Sequence, residues 1–139
     1  MSTSHADTTQ KQALKTGTVY LLAALLCALF GAAYEQFSHG VYSYFMIYAF
    51  LIPLTAGASP FCLAALCASP VMPGRLALNC YHSGIAAWTV GCIFQGALEI
   101  YGTSNRGVSV YWCAGTIFTV LGLIFFLVRL IKPKNKTDK

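Results

Sequence analysis

Long runs of apolar residues, separated by short polar stretches, dominate the pattern of this chain. A helix needs roughly 20 predominantly apolar residues to cross the hydrocarbon core of a bilayer, which is about 30 Å thick. Four segments of this length are present, at about residues 17–37, 41–59, 76–101 and 107–131. The pattern predicts an all-α integral membrane protein with a single four-helix transmembrane domain over residues 17–131. Residues 1–16 and 132–139 are predicted to be polar tails.

The second segment has the least regular pattern, because four prolines follow Val41 with no charged residue among them: Pro53, Pro60, Pro70 and Pro73. We expect Pro53 to kink the helix, since proline removes one backbone hydrogen bond and clashes with the preceding turn. Ser59-Pro60 is expected to end the span, or to bend it into a short interfacial helix over residues 61–67. The turn residues of segment 69–75 predict a loop.

The composition indicates that lipid is the solvent for most of the chain. Of its 139 residues, 57% are hydrophobic and 9% are charged, whereas a soluble domain carries about 25% charged residues. The net charge of +5 is concentrated in the tails, which is typical of membrane-orientation signals and not of nucleic-acid binding. The first apolar run exceeds the roughly 7–15 residues of a signal-peptide core. We therefore expect it to remain as a membrane anchor.

Basic residues predict the orientation of the spans. Both tails and Arg75 fall on one side of the predicted bundle, and Arg106 falls on the other. Because cytoplasmic segments carry the excess of Lys and Arg, we expect both termini in the cytoplasm of a multi-pass inner (cell) membrane protein. The connections at 38–40 and 102–106 are short, and short connections favour antiparallel helix hairpins.

Two glutamates occupy matching places near the ends of the first and third spans. Glu35 and Glu99 align without gaps when segment 30–37 is placed on segment 94–101, which indicates a weak parallel internal repeat of two hairpins. A carboxylate near hydrocarbon is costly, so such a residue is a candidate functional site. Two carboxylates facing each other across the bundle axis suit a proton relay or a cation site. The alternative is that both are ordinary polar residues in the headgroup layer.

His39 and Arg106 are candidates beside these acids. His39 lies four residues after Glu35 and shares its helical face if the helix continues that far, although Gly40 favours a stop. Arg106 lies near the corresponding place in the second half. If Arg106 pairs with Glu35 or Glu99, the carboxylate becomes structural and less available to a ligand.

Gln95 and Tyr48 complete the candidate ligand-binding set. Gln95 lies one turn before Glu99 on the same face, where an amide either contacts a ligand or hydrogen-bonds across to another helix. Tyr48 either forms part of a cation-binding aromatic wall or extends an aromatic belt. A second polar face, at the start of the third span, is either the mouth of a pathway or a set of interface anchors: Asn79, His82 and Ser83.

Small residues at four-residue spacing predict how the helices pack. One set lies in the first span and the other in the third: Ala24, Ala28 and Ala32, and Ser83, Ala87 and Gly91. Such faces let helix backbones approach closely in lipid. We expect the first and third spans to meet along them, or the two faces to form homodimer contacts.

Motifs typical of enzymes are missing from the sequence. It contains no Gly-x-Ser-x-Gly, no His-Glu-x-x-His and no phosphate-binding glycine loop. The six cysteines include no Cys-x-x-Cys pair and are interpreted as small buried hydrophobes. We therefore expect no enzymatic activity, no cofactor and no metal. His39 and His82 leave a haem-binding or redox protein as the lowest-ranked hypothesis.

The four-span layout is similar to that of the small multidrug exporters, which also place a glutamate in the first span. In this chain Glu35 lies near the helix end and not at mid-depth, so their function is not carried over. The first hypothesis is a transporter or permeation protein that binds a proton, cation or cationic solute at Glu35 and Glu99. The second is a non-catalytic accessory subunit. The expected partners are the lipid bilayer and a second copy or a larger membrane complex, with no nucleic acid.

Overall fold

A computed structural model describes residues 3–66 and 73–131, and every regular element in these ranges is helical. Four helical stretches are long and apolar enough to cross a membrane: Asp7–Phe37, Tyr44–Leu66, Arg75–Ile100 and Val108–Ile131. The predicted all-α architecture with four helices of membrane-spanning type is thereby confirmed. The C-terminal tail and residues 67–72, which include the first four residues of the predicted loop 69–75, lie outside the described residues.

The individual elements are five α-helices and one π-helical segment. They are α1 (Thr3–Phe37), α2 (Tyr44–Tyr48), the π-helical segment Pro53–Ala58, α3 (Ser59–Leu66), α4 (Arg75–Ile100) and α5 (Val108–Ile131). The last two begin and end within one residue of the third and fourth segments expected from the sequence.

Helix α1 begins well before the start expected at residue 17. Its 35 residues correspond to a length of about 52 Å at 1.5 Å per residue. Ala, Leu, Lys and Gln favour helix in its polar part. The hydroxyls of Thr16 and Thr18 donate to the carbonyl oxygens of Gln12 and Leu14, at 3.0 and 2.9 Å. The described part of the polar tail is therefore a continuation of the first membrane helix.

Two outcomes were expected at Ser59-Pro60, an end of the span or a continuation as a short helix, and the chain continues as helix α3 to Leu66. Pro53 has no N–H group to donate, and the helix widens into a π turn immediately after it, where the N–H of Ser59 bonds to the carbonyl of Leu54. Pro60 occupies the second position of α3, and a proline is tolerated in the first turn of a helix. The chain thus changes its hydrogen-bond register at the prolines without leaving the helical path.

At one end of the molecule, α2 lies between α1 and α4. Helix α1 packs against the π-helical segment and α3, while α2 contacts both α1 and α4. Met46 is 1% exposed and lies between two glycines. A Cβ atom at Gly31 would be 3.0 Å from the Met46 carbonyl oxygen, and one at Gly96 would be 2.7 Å from its backbone nitrogen. Only glycine lets both helices approach α2 this closely.

Helix α4 packs most extensively along α5. A Cβ atom at Gly91 would lie 2.9 Å from Cβ of Tyr111, and the backbone of Gly122 lies against Tyr81. Of the small residues at four-residue spacing in the third span, Gly91 therefore faces α5, whereas Ser83 is exposed. The sequence pattern predicted that this face would meet the first span or a second copy. The reason is that α5 also supplies small residues at the crossing, including Gly115.

We predict that Gly84→Ala destabilises the α4–α5 pair. A Cβ atom there would lie 2.8 Å from the backbone nitrogen of Thr119 and 2.9 Å from the carbonyl oxygen of Gly115. Neither atom can move without shifting a helix, so the free energy of unfolding should fall by about 1–3 kcal/mol. Unfolding of the detergent-solubilised protein by SDS measures this change. Ala86→Leu, at an exposed position of the same helix, is the control and should leave the midpoint nearly unchanged.

Candidate functional site

Glu99 is held by two neutral hydrogen-bond donors. Ser43, just before α2, has extended backbone and makes no side-chain cap to its helix. Its hydroxyl instead donates to Oε2 of Glu99 at 2.6 Å. Nε2 of Gln95 donates to Oε1 of the same carboxylate at 3.3 Å. Both donors leave the charge of Glu99 in place while they fix the orientation of its carboxylate.

Glu35 has a buried oxygen with no partner. Its Oε1 atom is shielded from solvent and makes no hydrogen bond within the described part of the chain. Glu35 is one helical turn beyond Gly31, so it shares the face of α1 that packs on Met46. A buried polar atom without a partner costs about 1–3 kcal/mol, and more for a charged group. This oxygen is therefore an open acceptor beside the start of α2.

The ends of α1 and α4 come together next to the two acids. Met46 of α2 lies against both Gly31 of α1 and Gly96 of α4, and each glycine is about one helical turn before a candidate glutamate. Ser43, which contacts Glu99, lies three residues before Met46, which contacts the face of Glu35. Glu35 and Glu99 thus approach the start of α2 from different helices. We refer to Glu35, Glu99, Ser43 and Gln95 as the carboxylate site.

His39 does not share the helical face of Glu35, because α1 ends at Phe37. His39 takes a left-handed backbone conformation with φ of 55°, followed by Gly40 with φ of 89°. Its imidazole is exposed, and Nδ1 is 2.9 Å from the carbonyl oxygen of Phe37. His39 and Glu35 would share a helical face only if the helix continued past Ser38, and it does not.

Arg106 and Tyr48 make no hydrogen bond or ion pair with either carboxylate among the described residues. Arg106 is exposed, and no ion pair to Glu35 or Glu99 occurs among residues 3–66 and 73–131. Tyr48 is 52% exposed and stacks on Tyr44, with ring centroids 6.4 Å apart. Of the candidates drawn from the sequence, the structure therefore brings Gln95 to Glu99 and leaves His39, Arg106 and Tyr48 outside the carboxylate site.

Sequence reasoning missed Ser43. A serine just before a helix is ordinarily expected to cap that helix, and nothing in the local sequence connects it to a residue 56 positions away. The available signal was that Ser43 interrupts a run of aromatic and apolar residues at the depth expected for Glu35 and Glu99.

A second polar cluster lies near the other end of α4. The hydroxyl of Tyr20 hydrogen-bonds Nδ1 of His82. Phe61 stacks on the Tyr20 ring at a centroid distance of 5.9 Å and lies tilted against the His82 ring at 5.6 Å. The hydroxyl of Tyr81 donates to the carbonyl oxygen of Ala56 at 2.7 Å. Of the predicted polar face, His82 points into the protein, whereas Asn79 and Ser83 are exposed.

The metal-ligating side chains are dispersed. Within the described ranges, no three of the His, Cys, Asp and Glu residues are grouped so that they could hold a metal ion. His39 follows the end of α1, whereas His82 contacts Tyr20, about 25 Å further back along the same helix at 1.5 Å per residue. The two histidines therefore cannot ligate one haem from both of its faces.

The comparisons with known proteins supply no analogue for this site. The chain matches no protein-family model, and it is significantly similar to no curated protein and to no solved structure. The function has to be argued from the side chains themselves.

We predict that Ser43 and Glu99 are energetically coupled. Ser43 is 1% exposed, and hydrogen bonds to charged groups contribute about 1.5–3 kcal/mol. Ser43→Ala and Glu99→Gln should each lower the free energy of unfolding, and the double variant should lose less than the sum of the two. A double-mutant cycle measures this coupling. Ser109→Ala, at an exposed position, is the control, and additive effects of Ser43→Ala and Glu99→Gln would contradict the prediction.

Proposed function

We propose that this chain is a small membrane transport or permeation protein that binds a proton, a cation or a cationic solute at Glu35 and Glu99. The observation that carries the proposal is the buried, unpartnered Oε1 atom of Glu35, which shares the start of α2 with a second carboxylate. A bound proton or cation would satisfy this oxygen.

Charge supports a cationic ligand. Glu99 receives its hydrogen bonds from a hydroxyl and an amide, which orient the carboxylate without neutralising it. Arg106 is exposed and makes no ion pair with either acid in the described ranges. Two acids near hydrocarbon without a paired base attract a positively charged ligand, because the surrounding lipid screens charge poorly.

The π-helical segment supports the proposal because it gives the second span a place to change conformation. A π turn inside a helix is frequent at functional sites, and interrupted membrane helices form the sites of many transporters. Pro53 opens this turn seven residues after Met46. Movement of the second span about this segment would alter the contact between α2 and the carboxylate site. In the proposed orientation the site lies at the outer face of the inner membrane.

We predict that Glu35→Gln and Glu99→Gln abolish flux through the purified protein. The probes are proteoliposomes loaded with a pH-sensitive dye or with K⁺, and ethidium as the cationic solute. Glutamine keeps the size of the side chain but removes its charge and replaces one acceptor oxygen by an NH2 donor. Each single variant should therefore reduce flux at least about tenfold, equivalent to a loss of about 1.4 kcal/mol.

The matched control for these variants is Asp7→Asn, which removes one negative charge from an exposed position of α1. It should leave flux unchanged. Size-exclusion profiles and helical circular dichroism must agree among all variants. Wild-type flux in the Glu35→Gln/Glu99→Gln double variant, with all three probes, would contradict the proposal.

A second candidate function is supported by α5. This helix packs mainly on α4, and only 11% of its most apolar window is buried within the chain. An open depression of about 370 Å³ on it is lined by Trp112, Cys113, Thr116 and Ile117. Such a depression suits a side chain from a partner helix, as in an accessory subunit of a larger membrane complex.

We predict for this second function that a stoichiometric protein partner co-purifies in mild detergent. Thr116→Phe would fill the depression and reduce retention of the partner several-fold by steric overlap. Leu121→Phe, exposed on another face of α5, should retain it. A homo-oligomer that is stable alone, with no partner bound, would count against an accessory role.

A further inference from the structure

Four aromatic side chains connect α1, α3 and α4 around the π-helical segment. Tyr20 stacks on Phe61, Phe61 lies tilted against His82, and the centroids of the Tyr20 and His82 rings are 5.4 Å apart. Tyr81 meets Phe61 edge-on at 6.4 Å. We call Tyr20, Phe61, Tyr81 and His82 the aromatic cluster. It is separate from the carboxylate site, since Tyr20 and Glu35 are about 22 Å apart along α1 at 1.5 Å per residue.

The hydrogen bond between Tyr20 and His82 is the polar centre of this cluster. In the described part of the chain, the Tyr20 hydroxyl has no hydrogen-bond partner other than Nδ1 of His82. Both groups are satisfied when Tyr20 donates and Nδ1 accepts, which requires the neutral histidine tautomer with its proton on Nε2. In this arrangement His82 is uncharged and the Tyr20 hydroxyl has an acceptor.

A proton added to His82 changes this contact. Both ring nitrogens of a charged imidazole are donors, so Nδ1–H would have to donate to the Tyr20 oxygen. The Tyr20 hydroxyl would then lose its acceptor in the described part of the chain, and a part-buried donor without an acceptor is unfavourable. Turning Tyr20 towards water relieves the conflict.

Tyr20 also holds the π-helical segment. Its ring lies directly against the Cα atom of Gly57, where a Cβ atom would clash with it. On the other side, Tyr81 donates to the carbonyl oxygen of Ala56 at 2.7 Å. A π turn leaves backbone groups less regularly paired than an α-helix, so these two tyrosines stabilise the wide turn from α1 and from α4.

The other ionisable groups around His82 are few. Helix α1 presents Tyr20, and α3 presents Cys62 beside Gly17 next to Phe61. The segment Pro53–Ala58 has no ionisable side chain, and α5 presents Gly122 to the neighbouring Tyr81. Within residues 3–66 and 73–131, no Lys, Arg, Asp or Glu side chain makes a hydrogen bond or an ion pair with a member of the cluster. His82 is therefore the group in the cluster that can change charge near neutrality.

We propose that His82 and Tyr20 form a second proton-binding site, and that a proton on His82 releases Tyr20 from Gly57 and loosens the π-helical segment. The site couples pH to the packing of the second span. It needs neither carboxylate, so it stands or falls independently of transport through Glu35 and Glu99.

Hydrogen–deuterium exchange of the full chain in detergent or nanodiscs tests this proposal. After correction for the intrinsic pH dependence of exchange, amides of residues 54–66 should lose about tenfold in protection as His82 takes up a proton between about pH 8 and 5. Tyr20→Phe keeps the ring but not the hydroxyl. It should show low protection in this segment at both pH values.

His82→Gln should lose the pH dependence, and His39→Gln is the matched control that should retain it, since His39 is exposed and remote from the cluster. A pH dependence that survives in His82→Gln would overturn the proposal. Should that variant fail to fold, ¹³C-histidine NMR of the wild-type chain gives the same decision. The proposal is refuted if the imidazole of His82 takes up no proton between about pH 8 and 5. It is also refuted if His82 takes up a proton but the amide protection of residues 54–66 does not change.

Discussion

Close approach of three helices at Met46 is the constraint on which the carboxylate site depends. Gly31 and Gly96 leave room for the backbone of α2 between α1 and α4. In lipid there is no hydrophobic driving force between helices, so association relies on such close packing and on interhelical hydrogen bonds. Side chains at either glycine would move α2 away, and Ser43 would no longer reach Glu99. The geometry of the carboxylate site therefore depends on glycine at positions 31 and 96.

Polar groups in this protein are arranged differently at its two clusters. At the carboxylate site, Glu99 is oriented by neutral donors while an oxygen of Glu35 stays open. At the aromatic cluster, the Tyr20 and Tyr81 hydroxyls both have partners. The first arrangement leaves an acceptor available to a ligand. The second is complete only in one protonation state, so the two clusters would respond to different events.

Much of the helical architecture could be predicted from the sequence, because the length of apolar runs is set directly by the thickness of a bilayer. Gln95 was placed beside Glu99 by helical periodicity alone, since both are on α4. Local rules failed where a contact joins distant segments. Neither the Ser43–Glu99 bond nor the Tyr20–His82 bond has a signature in sequence spacing.

The structure also differs from the sequence-based predictions at the prolines of the second span and in the packing of the small residues. Pro53 and Pro60 are residues that ordinarily interrupt a helix. In this structure the chain continues through Pro53 as a π turn, and Pro60 lies in the first turn of α3. The small residues of the third span correctly indicated close packing, but periodicity does not say which neighbour is packed. That choice was made by the glycines of α5, which lie opposite.

The unbroken length of α1 has a mechanical consequence. A helix of 35 residues exceeds the hydrocarbon thickness by roughly 20 Å. Its polar N-terminal part therefore extends beyond the hydrocarbon core. Nε2 of Gln10, in this N-terminal part of α1, donates to the carbonyl oxygen of Ala65 near the end of α3 at 3.2 Å. A sideways force on the N-terminal part of α1 would therefore act on the second span at two places, at Ala65 in α3 and, through Tyr20, at Gly57 in the π-helical segment.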